Sequence, residues 1–158
     1  MSFDFNADEV FEMAEQIERN GAAFYRSAAK EITDPEERRL LNDLAEMENE
    51  HEQTFAQLRK SLSMKDKEST VFDPMDEAAA YLRALADTRV FFERALDMSS
   101  LEAVLKDAIL AEKDSIVFYL GMKEMVPSDL GKNKIDAIIK EEMSHIRLLS
   151  KSLLACKR

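Results

Sequence analysis

The chain has 158 residues, of which 46% are hydrophobic and 34% charged, with only 3 Gly and 3 Pro. That composition describes one compact domain, residues 1–158, rich in regular structure, and excludes collagen-like, low-complexity and multi-domain organisation. A single cysteine, Cys156, excludes an internal disulfide or a thiolate metal cluster within one chain. The net charge of −10 opposes nucleic-acid phosphate and attracts cations. The acidic start, Met1 to Val10, lacks the basic and apolar pattern of a secretory signal, and no apolar run reaches the ~18 residues of a membrane span. A cytoplasmic protein that binds neither membrane nor nucleic acid is expected.

Four stretches carry helical periodicity, and none carries sustained strand alternation. The first runs from Ala7 to Ile32, with Asn6 and Glu9 spaced as a capping box. The second follows a short turn, with Asp34 as N-cap and Pro35 at the first helical position, and reaches Leu62. A third is predicted from Ser99, with Glu102 completing a capping box, to Val126. Pro127 and Ser128 then break the chain ahead of a fourth, from Asp129 to Ala155. Short turns make antiparallel pairs, so the fold class is all-α: two helical hairpins joined by a long crossover, residues 63–98. Within that crossover, Met75 to Leu96 reads as one or two short helices.

The hairpins echo each other at a constant offset of 94 residues. Glu18 followed by Phe24-Tyr25 matches Glu112 followed by Phe118-Tyr119, and Glu48-x-x-His51 matches Glu142-x-x-His145. Such a repeat predicts a pseudo-twofold axis, near which the repeated residues meet.

The inward stripes are apolar except at their centres. At alternating spacings of three and four, the second helix reads Leu41, Leu44, Glu48, His51, Phe55, Leu58, Leu62, and the fourth Ile135, Ile138, Glu142, His145, Leu149. The first reads Phe11, Ala14, Glu18, Gly21, Tyr25, Ala28, Ile32, and the third Leu105, Ala108, Glu112, Ser115, Tyr119, Met122, Val126. With 19 Glu in 158 residues, both histidines having Glu three places earlier would arise by chance about once in 70.

A buried carboxylate costs several kcal/mol even after relaxation, so four in one layer need cations. Two divalent ions cancel four Glu with both imidazoles neutral. Oxygen and imidazole donors without thiolate suit two iron ions, with manganese or zinc as alternatives. The candidate ligands are therefore Glu18, Glu48, His51, Glu112, Glu142 and His145. Tyr25 and Tyr119 fall where a phenol can hydrogen-bond a ligand carboxylate across the bundle. Gly21 and Ser115, both small, leave room for an oxidant. Glu15, Glu50, Glu52, Asp114 and Glu141 fall off the stripes and read as solvent-facing, Glu15 and Glu141 approaching the site only if the helices rotate, and the nine Met read as packing filler.

These motifs resemble the ferritin-like superfamily and, within it, the rubrerythrins. The resemblance implies a ferritin-like four-helix bundle with a di-iron centre that reduces peroxide or dioxygen, supplied by an external electron donor such as a rubredoxin-like protein. It implies that Glu18 and Glu112 are shared by the two metals, with Glu48, His51, Glu142 and His145 as terminal or bridging ligands on either side. It also sets Ser115 where rubrerythrins carry an additional Glu, so a swap of His for Glu on one iron is not expected. A homodimer is expected. Two other functions fit the same residues: ferroxidase and iron handling, and a non-catalytic metal-dependent interaction or sensing module.

Overall fold

The computed structural model describes residues 7–62, 82, 84, 99–124, 126 and 129–157. Four helices account for nearly all of them: α1 (Ala7–Glu31), α2 (Pro35–Lys60), α3 (Leu101–Lys123) and α4 (Asp129–Cys156). Among the described residues there is no strand, and no helix is long and apolar enough to cross a membrane.

Local chemistry sets the helix ends. The Asp34 side chain accepts from the backbone N–H groups of Glu36 (2.9 Å) and Glu37 (3.1 Å), and Pro35 follows it at the first position of α2. A cap of this kind contributes about 1 kcal/mol. Arg38 reaches back from α2 to donate twice to the Ile32 carbonyl, at 3.0 and 2.8 Å, which satisfies an acceptor that the end of α1 leaves open. The cap of α3 is Ser100, whose Oγ accepts from Ala103 N at 3.1 Å, and not Ser99. α2 and α3 stop at Lys60 and Lys123, short of the expected Leu62 and Val126. Asn6, Pro127 and Ser128 lie outside the described residues, as does the crossover apart from Leu82 and Ala84, both helical.

α1 packs along α2 and α3 along α4, and across the bundle α2 meets α4 and α1 meets α3. The inward stripes are buried as the spacing requires, with Leu62 only half-buried. Two apolar clusters result. One gathers Phe11, Phe55, Phe118, Met122 and Ile135, together with the fully buried Leu82. The other gathers Phe24, Leu41, Leu44, Leu105 and Leu149. Burying such side chains contributes roughly 1.5–3 kcal/mol each, enough to carry a polar layer between the two clusters. Ion pairs tie neighbouring helices at the surface. Arg59 of α2 holds Asp8 (2.9 Å), Glu12 (3.4 Å) and Glu15 (3.0 Å) of α1, and Lys123 of α3 holds Asp136 of α4 at 2.6 Å.

Candidate metal centre

Each helix sends one carboxylate into the layer between the apolar clusters, and α2 and α4 add a histidine one turn later. Glu18, Glu48, His51, Glu112, Glu142 and His145 are all at most 2% exposed. Their donor atoms form two groups, each with atoms within 4.8 Å of one another. One comprises Glu18, Glu48, His51 and Glu142; the other comprises Glu48, Glu112, Glu142 and His145.

Glu48 and Glu142 thus belong to both groups, whereas Glu18 and Glu112 each belong to one. The resemblance implied Glu18 and Glu112 as the shared pair and left Glu48 and Glu142 as terminal or bridging; the donor grouping favours the bridging role for Glu48 and Glu142. The reason is the Glu-x-x-His turn itself. It sets a carboxylate beside its own imidazole on α2 and again on α4, and these two helices meet, so Glu48 and Glu142 reach past each other to both sides.

The imidazoles point Nδ1 inward. His51 Nδ1 lies 2.7 Å from Glu142 Oε1 and 3.4 Å from Glu18 Oε2. His145 Nδ1 lies 3.2 Å from Glu142 Oε2, 3.3 Å from Glu48 Oε1 and 3.4 Å from Glu112 Oε1. The rings stack, with centroids 5.7 Å apart and planes 19° apart. Their outer nitrogens face other partners: His51 Nε2 meets Glu141 Oε2 at 2.5 Å, and His145 Nε2 meets Met47 Sδ at 3.2 Å.

The tyrosines cross the bundle. Tyr25 of α1 donates to Glu112 Oε1 of α3, and Tyr119 of α3 donates to Glu18 Oε1 of α1. Each hydroxyl holds one oxygen of its carboxylate; on Glu18 the other oxygen, Oε2, faces His51 Nδ1, and on Glu112 the held oxygen itself faces His145 Nδ1. Ser115 Oγ donates to the Ala111 carbonyl at 3.0 Å, so its hydroxyl is satisfied within its own helix.

Two residues set outward by the stripe pattern lie elsewhere. Glu15 is buried to 9% exposure by the Arg59 guanidinium. Glu141 keeps an exposed side chain yet reaches His51. Glu50 is exposed, and Glu52 pairs with Arg19 at 2.9 Å on the surface. Met47, read as filler, is the partner of His145 and not a core residue.

Protonation behaviour records the same crowding. Burial, with the charges of Glu142, Glu18 and Glu112, holds the Glu48 carboxyl well above the usual range. Burial and the facing Glu112 and Glu18 push Glu142 up to about 8. Glu112 goes the other way: burial opposes its charge, but Glu142, His145 and Tyr25 hold it below the ordinary value. Burial also opposes charge on the imidazoles, yet Glu142 and Glu18 raise His51 to about 12, and Glu112 and Glu142 raise His145 to about 10. Burial and neighbouring carboxylates keep both tyrosines neutral, well above 10. The layer needs positive charge, and without cations it holds protons instead.

The donor set itself tests the fit to metal. Glu18 Oε2, Glu48 Oε1, both oxygens of Glu142 and the Nδ1 atoms of His51 and His145 are buried without a hydrogen-bond partner. These atoms crowd one another, as His51 Nδ1 and Glu142 Oε1 do at 2.7 Å, and each buried polar atom left without a well-formed bond costs about 1–3 kcal/mol, so the layer favours a common partner. Six lone-pair donors of oxygen and imidazole nitrogen suit two divalent cations.

Residues 2–59, which span α1 and α2, match the family model described as Rubrerythrin. No curated protein sequence matches. The chain is similar in structure to a ferritin-like diiron-carboxylate protein from Thermotoga maritima, with a TM-score of 0.72, 22% sequence identity and 97% of each chain covered. The chain therefore has the ferritin-like fold, and its first hairpin is rubrerythrin-like.

Proposed function

We propose that the buried layer is a dinuclear metal centre, loaded with iron, through which the protein reduces peroxide or dioxygen. In this reading Glu18 and His51 hold one ion, Glu112 and His145 hold the other, and Glu48 and Glu142 are common to both. The six buried donor atoms without hydrogen-bond partners carry the proposal. The similarity to rubrerythrins and to a diiron-carboxylate protein supports the choice of iron. Two ferrous ions bound there would supply one electron each, the two electrons that cleavage of a peroxide O–O bond consumes.

The chain's own contribution is placement and exclusion of water. Tyr25 and Tyr119 fix the carboxylates of Glu112 and Glu18, so that the donors are set before metal arrives. The phenols stay protonated, which makes them the nearest O–H groups to those two carboxylates. Gly21 and Ser115 occupy the inward positions one turn beyond Glu18 and Glu112 and keep side-chain volume low there. Apolar clusters above and below, with Phe55 and Phe118 on one side and Phe24 on the other, limit the water that could release a partly reduced oxidant. Electrons to restore the ferrous state come from an external redox protein.

The test is direct. Protein purified without affinity metals is expected to hold about two metal ions per chain. Loaded anaerobically with ferrous iron, it should be oxidised by peroxide in stopped flow faster than ferrous iron in buffer. Equal rates would refute the reduction chemistry, and rapid oxidation by dioxygen with mineral accumulating in a many-subunit particle would move the assignment to iron storage.

A further inference from the structure

The layer repeats under the 94-residue offset, but the partners behind the two histidines do not. His51 Nε2–H donates to Glu141 Oε2 at 2.5 Å, while His145 Nε2–H meets Met47 Sδ at 3.2 Å. Positions 47 and 141 are themselves related by the offset of 94, and each directly precedes the Glu of its own helix's Glu-x-x-His turn while standing behind the histidine of the other helix. The same place in the fold therefore carries a carboxylate on one side and a thioether on the other. Among the described residues, Glu141 and Met47 are the groups within hydrogen-bonding reach of the two outer nitrogens.

The chemical difference is large. A carboxylate that accepts from the outer N–H of a metal-binding imidazole fixes its tautomer and ring orientation and strengthens the inner nitrogen as a donor. A thioether is a weak acceptor and does little of either. Glu141 has a side chain 60% exposed. Met47 is also accessible, at 40% exposed, so the weak partner is not forced by a closed apolar pocket.

We infer that the two metal positions are inequivalent: the one bearing Glu18 and His51 binds metal more tightly and fills first, with Glu141 as its positioning residue, and the one bearing Glu112 and His145 is weaker because Met47 stands behind its histidine. The inference rests on the dinuclear reading above. Loading then passes through a one-metal state, and the exchangeable ion is the one beside His145.

Two cations repel each other, so stepwise binding to the parent protein alone does not decide the matter. Single-histidine variants do. Metal-free His145→Ala and His51→Ala proteins, titrated with manganous ion and followed by the electron paramagnetic resonance of free Mn(II), report the two positions separately. His145→Ala is expected to bind its ion at least about tenfold more tightly than His51→Ala. Adding Glu141→Ala to His145→Ala should weaken binding by about 10- to 100-fold, with Glu141→Gln between, because an amide still accepts the hydrogen bond without the charge. Adding Met47→Glu to His51→Ala should tighten binding by about tenfold or more, a gain that a purely structural role for these positions would not produce.

Equal affinities in the two single-histidine variants would overturn the inference, as would no response to either Glu141→Ala or Met47→Glu. A parent protein that takes up two ions while the variants bind equally removes this inference and leaves the dinuclear reading standing. A parent that binds none removes both.

Discussion

Tyr119 on α3 holds Glu18 on α1: the phenol donates to Oε1, and the carboxylate's other oxygen, Oε2, turns toward His51 Nδ1 at 3.4 Å. Both residues are at most 1% exposed, and the bond runs between the two hairpins, 101 positions apart in sequence. Its counterpart from Tyr25 to Glu112 runs the opposite way across the bundle, so the hairpins are tied twice at the level of the layer.

Tyr119→Phe keeps the ring that packs on Phe55 at 5.1 Å and removes only the hydroxyl. Glu18 Oε1 then loses its donor inside the bundle. The expected cost is about 1–3 kcal/mol in urea denaturation, and Tyr25→Phe should cost a similar amount through Glu112. An unchanged midpoint would mean that water replaces the phenol and that the tyrosines do not position the carboxylates.

Because Glu48 serves both donor groups and Glu18 only one, their removal should not be equivalent. Glu48→Ala is expected to leave little bound metal after dialysis, whereas Glu18→Ala should retain about one ion per chain, counted by plasma mass spectrometry. The reverse order would restore Glu18 as the shared carboxylate.

In the metal-free protein, stability should fall as pH rises. Glu142 has a folded value of about 8 against an ordinary 4.5, so between those limits the fold holds a proton that the unfolded chain has released. His51 and His145, raised from 6.5 to about 12 and about 10, contribute stability that is fully present below pH 6.5 and is lost as pH climbs toward those values. Glu112, held low, opposes this trend only below its ordinary 4.5, outside the window. Thermal melts at pH 5.5 and 8.5 should therefore show the metal-free protein more stable at the lower pH. Metal ions compete with protons for the same donor atoms, so loaded protein should show the opposite slope.

The apolar halves should dominate the remaining stability. Phe55 is fully buried and packs on Phe11 at 6.4 Å and on Tyr119, so Phe55→Ala should cost about 3–5 kcal/mol by chemical denaturation. Leu154→Ala, on a residue 63% exposed, should change stability by less than about 0.5 kcal/mol. Comparable losses would mean that Leu154 is covered in solution.

Sequence periodicity was informative because a helix repeats every 3.6 residues, and a stripe that fits that period must face one side. The inward placement of Glu18, Glu48, Glu112 and Glu142, the cap at Asp34 and the depth of both tyrosines all follow from this. So does the pairing of the hairpins, since their turns are short. The start of α3 was read one residue early because Ser99 and Ser100 are adjacent caps of the same chemistry, and only Ser100 has its oxygen turned onto the Ala103 amide.

What periodicity does not contain is how far one helix is rotated and slid against the next. Glu15 and Glu141 lie off their stripes, yet Glu15 is buried because Arg59 from α2 comes down on it, and Glu141 reaches His51 because α4 presents that edge to α2. Their signals were present but silent: a cationic residue near the end of α2, and a pair, Met47 and Glu141, in register under the 94-residue repeat. The pattern along each rod determined that four glutamates and two histidines would share one level of the bundle. The stagger and rotation between rods, which arise from packing between residues far apart in the chain, decided which carboxylates reach both sides and what stands behind each imidazole.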